Sequence, residues 1–133
     1  MFVVDTIGKE HNILFAIEND WITDINSFHS GEPSRFFIEA IEPSIVLQID
    51  PQDLYALYTF SKFDKIFKVI AEHRCVALQN RVLQMICLTA KERYLAFLEE
   101  YHHLSVRLPN IHIASYLGIT PEFLSKIRKD TAY

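Results

Sequence analysis

The run Ile111-His112-Ile113-Ala114-Ser115-Tyr116-Leu117-Gly118-Ile119-Thr120-Pro121-Glu122-Phe123-Leu124-Ser125-Lys126-Ile127-Arg128-Lys129 leaves this chain the fewest structural alternatives. Ala114 is small enough for two helices to cross closely. Gly118 can take the left-handed conformation that ends a first helix. Ile119 is an apolar plug. Thr120 is a good N-cap, and Pro121 suits the first position of a second helix. Leu124 and Ile127, three apart, then face inward, while Glu122, Ser125, Lys126 and Lys129 fall on the opposite face. A glycine turn alone would fit any helical hairpin. The coincidence of small residue, glycine, plug, capping threonine and inward pair in one window is the helix-turn-helix pattern of DNA-binding proteins.

The rest of the chain bounds that reading. With 133 residues, half of them hydrophobic, it can build one domain or two small ones. Three glycines and five prolines leave little room for disorder. No stretch approaches the roughly 20 apolar residues of a membrane span, and no signal peptide is visible. Cys75 and Cys87 fall in one predicted helix. At about 1.5 Å rise per residue they lie roughly 18 Å apart, too far for a bridge within a straight helix. Reduced thiols, and so a cytoplasmic location, are expected. Without a cysteine cluster, neither a zinc ribbon nor an iron–sulfur site is expected.

The net charge of −4 is unevenly spread. Residues 1–60 carry two basic and ten acidic side chains, residues 61–103 seven and five, and residues 104–133 four and two. DNA binding depends on local charge, so an acidic front with a mildly basic tail is compatible with it. A tail this weakly basic predicts that one copy alone binds poorly.

The front reads as β-rich. Residues 2–5 and 12–17 flank a Gly8-Lys9 turn as in a hairpin. Trp21, Ile22, Ile25 and Phe28 suggest a short helix, and residues 29–34 a turn. Strands are predicted over 35–42 and 44–49, broken by Pro43. A short helix opens at Pro51, and a long one runs from about Lys62 to Leu88. On it Val69, His73, Val76, Asn80, Leu83 and Cys87 follow spacings of four and three, a coiled-coil-like seam. A second stripe, Ala71, Cys75, Leu78, Val82 and Met85, lies beside it. Such a helix can pack on its own domain and on a twin, or can be one buried core helix. Thr89-Ala90-Lys91-Glu92 is a capping box for a helix to about Tyr101, with Tyr94, Leu95, Leu98 and Tyr101 or Leu104 inward.

The order of these parts, with Gly8-Lys9-Glu10-His11, Gly31-Glu32-Pro33-Ser34-Arg35, Ala90-Lys91-Glu92-Arg93-Tyr94 and Ile113 to Glu122, resembles the Crp/Fnr family of bacterial transcription regulators, in its short-tailed branch. The resemblance covers nearly the whole chain. It implies an α+β fold: a partial cyclic-nucleotide-binding-like β-roll over 1–60, a long dimerisation helix over 61–88 and a helix-turn-helix domain over 89–133. The roll of the family has more strands than this sequence supplies, so the first half of the sensor is expected to be missing. The β-hairpin wing that follows the second helix in many members is expected to be absent.

The resemblance also implies a function: a transcriptional regulator binding a near-palindromic site as a homodimer. Its partners would be double-stranded DNA, a second copy through residues 62–88, and RNA polymerase, with no membrane. Glu122 matches a glutamate that accepts from a cytosine or adenine amino group, and Lys126 stands where an arginine reads guanine. Pro121 replaces another frequent reader. Thr120, Ser125 and Lys129 are phosphate candidates, and His112 is counted with them. For an effector pocket the candidates are Asp24, Gly31, Glu32, Ser34 and Arg35. Thr23-Asp24 stands where nucleotide-binding members have Gly-Glu, and Ser34-Arg35 reverses their Arg-Ser order. Moving an arginine one place along a strand turns it to the other face. A degenerate effector domain is therefore expected, without a cyclic nucleotide or other cofactor.

Other chemistries find little support. His102 and His103 are adjacent and point to different helix faces, and nothing has the His-Glu-x-x-His form of a metal site. Asp20 with Asp24 is a carboxylate pair that capping explains, so no catalytic residues and no enzyme are expected. Two alternatives stay open on the sequence: an interaction module that dimerises without binding DNA, and a cyclic-nucleotide-responsive regulator.

Overall fold

The computed structural model describes residues 1–131. The fold is α+β and mostly helical, with one small antiparallel sheet. In chain order it runs β1 (Phe2–Val4), β2 (Glu10–Asn12), α1 (Ile25–Ser30), β3 (Phe36–Phe37), α2 (Pro51–Tyr58), α3 (Ser61–Cys87), α4 (Ala90–Glu100), α5 (Leu104–Arg107), α6 (Asn110–Leu117) and α7 (Pro121–Thr131). No described helix is long and apolar enough to cross a membrane. The chain forms two compact units. One joins residues 1–43 to the helices from Thr89 onward, and the other is Ser44–Leu88.

In the first unit the hairpin turns at Gly8, whose φ of 82° suits a residue without a Cβ. The Asp5 carboxylate accepts from the backbone N–H groups of Ile7 and Lys9 and meets His11 Nε2 at 2.7 Å. Phe2 pairs with Asn12 on one side and with Phe37 on the other, giving the order β2-β1-β3. The Phe2 and Phe37 rings stack at 5.3 Å.

Here the strands depart from expectation. The second one occupies Glu10–Asn12 rather than 12–17. Beyond Asn12 the chain leaves the sheet and sends Phe15 into the helical core, where it is 4% exposed. The strand expected over 35–42 is reduced to Phe36–Phe37, and residues 44–49 form none. The short helix starts at Ile25, not Trp21, because Asp24 caps it by accepting from the N–H groups of Asn26 and Ser27.

The helices of this unit close around Phe15, Tyr94, Phe97, Leu104, Ile113, Tyr116, Leu117, Leu124 and Ile127. Thr89 and Glu92 form the capping box that starts α4, with each reaching the other's backbone N–H. Tyr94 and Leu104 are buried as expected, and Leu98 and Tyr101 pack at the margin of the core. Leu95 is exposed instead, and Phe97 takes the central place. The rotation follows from Phe15, whose ring meets Phe97 and Tyr101 edge-on and lies 5.1 Å from Tyr116.

In the second unit Pro51 opens α2, Leu54 is buried, and Tyr58 meets Phe67 of α3 edge-on at 5.2 Å. None of the 27 residues of α3 is buried. Val69, Val76 and Leu83 of the expected seam, and Leu78, Val82 and Met85 of the stripe beside it, are all about half exposed. Cys75 and Cys87 are unpaired and exposed.

Candidate nucleic-acid interface

The α6–α7 pair is built from short-range chemistry. Gly118 ends α6 at φ 68° and donates to Ser115 O, and the Ile119 N–H reaches back to Ala114 O at 3.0 Å. This paired ending satisfies carbonyls that the helix leaves open and turns the chain sharply. Arg93 of α4 adds a cation there, its Nε donating to Leu117 O at 3.2 Å. Ile119 packs against the core as the plug. Thr120 Oγ1 then accepts from the Phe123 N–H at 3.2 Å, and Pro121 takes the first place of α7. Ala114, fully buried, lets α7 approach α6, and Leu124 and Ile127 fill the contact at 0% and 4% exposure.

Glu122, Ser125, Lys126 and Lys129 are all exposed on the other side of α7. The backbone N–H of Glu122, and then the Thr120 side chain, hold the Glu122 carboxyl below the usual glutamate range, so it is an acceptor at neutral pH. The Ser125 hydroxyl donates to Pro121 O within the helix and keeps its lone pairs. Arg128 turns inward: its Cζ sits 5.7 Å from the Tyr94 ring centre and its Nη2 donates to Ser105 O. Lys126 and Lys129 are thus the cations of the outer face.

His112 is placed differently from the other candidates. It is half-buried against β2, with Nδ1 3.3 Å from Asn12 Nδ2. Asn12 is buried, and its backbone N–H donates to Ser115 Oγ, which in turn donates to Glu10 O. The outer edge of β2 is therefore closed by side chains of α6. Nothing in the sequence pointed to Asn12, a polar residue of a short strand whose partners lie about a hundred positions away. A second tie joins the front to the helices, because Arg107 of α5 pairs with both Glu18 and Glu42.

The candidate effector residues form a self-contained turn. Asp24 caps α1 and accepts from the Ser34 hydroxyl at 2.7 Å. Gly31 ends α1 at φ 74°. Glu32 O accepts from Ser27 Oγ, and its N–H donates to Ser30 Oγ. Arg35 is exposed. Asp24, Ser34 and the Glu32 backbone spend these hydrogen bonds on the turn itself. No family model, no curated protein and no solved structure matches this chain.

Proposed function

We propose that this protein is a sequence-specific DNA-binding transcriptional regulator of the Crp/Fnr type, with α6 and α7 as its helix-turn-helix and α7 as the helix that enters the major groove. The observation that carries this reading is the two-sidedness of α7. Leu124 and Ile127 anchor it on Ala114, while Glu122, Ser125, Lys126 and Lys129 stand clear together. A helix held from behind, with its capped N-terminus leading and donors and acceptors on the free side, has what base edges and phosphates require. Lys126 donates to guanine O6 and N7, and Glu122 accepts from a base amino group. Thr120 and Lys129 meet phosphates, and the first N–H groups of α7 add partial positive charge.

The outer face of α7 offers few contacts, so the protein works as a homodimer on a near-palindromic site with half-sites about 34 Å apart. The exposed apolar seam of α3 favours this, since a helix without buried residues owes its stability to a partner. The front is read as a β-roll remnant with a degenerate effector site. The bond from Ser34 to Asp24 and that from Ser27 to the Glu32 carbonyl favour this, because they occupy these groups within the turn.

An electrophoretic shift against a duplex selected from a random pool tests the reading. Lys126→Ala is expected to weaken the selected duplex by about 1–3 kcal/mol and to relax preference at one guanine. Glu122→Ala is expected to relax preference at a neighbouring pair. A wild type that dimerises yet retards no duplex would make the chain an interaction module instead, which the exposed α3 seam also favours.

A further inference from the structure

We propose that Phe123 is a specificity residue that reads the 5-methyl group of a thymine beside the guanine taken by Lys126. This rests on the DNA-binding reading above and names a base which that reading leaves open.

Phe123 is 46% exposed, on the first turn of a helix whose next residue, Leu124, is fully buried. At about 100° per residue it lies roughly 60° around α7 from Lys126, one turn away on the same flank. It stands on the flank of α7, about 40° from the buried Ile127 and about 60° from Lys126, and is half exposed. The core holds its aromatics without it: Phe15, Tyr94, Phe97 and Tyr116 are all buried. Among the described residues of α7, Phe123 is the one large apolar side chain that is exposed.

The occupant follows from chemistry. The DNA-binding reading supplies the duplex, and the chemistry of the ring selects the group on it. Of the groups on major-groove base edges, the thymine methyl alone is apolar. A phenyl ring offers no donor and no acceptor. Against a cytosine or adenine amino group it would strip water and return nothing. Against a methyl it removes apolar surface from both sides. Glu122 and Lys126 supply the hydrogen-bonding part of the readout, and Phe123 supplies the apolar part.

Deoxyuridine is the test probe, because it lacks only the methyl and keeps the hydrogen-bonding edge of thymine. In the duplex selected by the wild type, each thymine is replaced in turn by deoxyuridine. Wild type is expected to lose about fourfold in affinity per half-site at one position next to the Lys126 guanine, the value of one buried methyl-sized group. Phe123→Ala is expected to bind the thymine and deoxyuridine duplexes equally while keeping its guanine preference. A wild type indifferent to deoxyuridine at every position overturns the proposal, as does a Phe123→Ala variant that keeps the difference; both leave DNA binding standing. A wild type that binds no duplex overturns the underlying reading as well, so the two failures are told apart.

Discussion

At the scale of single residues, the turn between α6 and α7 depends on backbone geometry that one side chain can spoil. Gly118 sits at φ 68° and ψ 34°, where an L-residue crowds its own carbonyl. Gly118→Ala is expected to lower stability by about 1–2 kcal/mol, read as a fall in the urea midpoint with an unchanged slope. An unchanged midpoint would mean that the turn relaxes freely and does not fix the angle of α7. Gly118, Thr120, Leu124 and Ile127 were legible in the sequence because each owes its role to neighbours within five positions. His112 was not. It is a phosphate candidate by resemblance, and its surroundings are set by Asn12 across the fold, which no local pattern shows. Phe97 was missed for the same reason, since Phe15 decides which face of α4 turns inward.

At the scale of elements, the main helices and the first strand with its Gly8 turn were readable, and the extents of the other strands were not. The bounds of α2, α3 and α4 follow from Pro51, from a continuous helical spacing and from the Thr89–Glu92 box, all local signals. The strands are defined by pairing. β1 offers three residues, so β2 and β3 can extend no further than its edges allow, whatever the β-propensity of residues 12–17 or 35–42. Residues 44–49 share that propensity, yet Ile45 and Leu47 stand almost wholly exposed and Val46 largely so. The helix α3 meets α2 through Phe67 and leaves an apolar seam exposed within its own unit. Val76→Asp combined with Leu83→Asp places two charges in the exposed seam, which a lone helix tolerates and a coiled-coil interface does not. Light scattering is expected to show wild-type dimers and a monomeric double variant. That variant should keep binding to a single half-site and lose the gain from a second. A wild type that stays monomeric at high micromolar concentration ends the homodimer reading.

At the scale of the whole molecule, residues 1–43 belong physically with the C-terminal helices, and acid should expose that bond. Asp5, Glu18, Asp24, Glu92 and Glu122 all have carboxyl groups held below their ordinary range. For Glu18 the largest cause is its hydrogen bond from Arg107. A group whose folded pKa is depressed stabilises above its ordinary value and loses that contribution as pH falls through the folded one. The melting temperature is therefore expected to fall as pH drops below the ordinary carboxylate range, and to fall less in Arg107→Leu, which has already lost the bond to Glu18. The apolar tie is stronger and gives the sharper prediction. Phe15 touches Phe97, Tyr101 and Tyr116, so it is a core residue of helices that begin more than seventy positions later. Phe15→Ala is expected to cost about 3–5 kcal/mol, a large share of the stability of a small domain. If hairpin and helices unfold together, hydrogen exchange in the variant must accelerate in α6 and α7 as well as around β1 and β2. Faster exchange confined to residues 1–43 would make the front a passenger on an independently folded helical domain. Accelerated α6 and α7, joined to weaker binding of the selected duplex, would mean that the front supports the helix proposed to face DNA through the core they share.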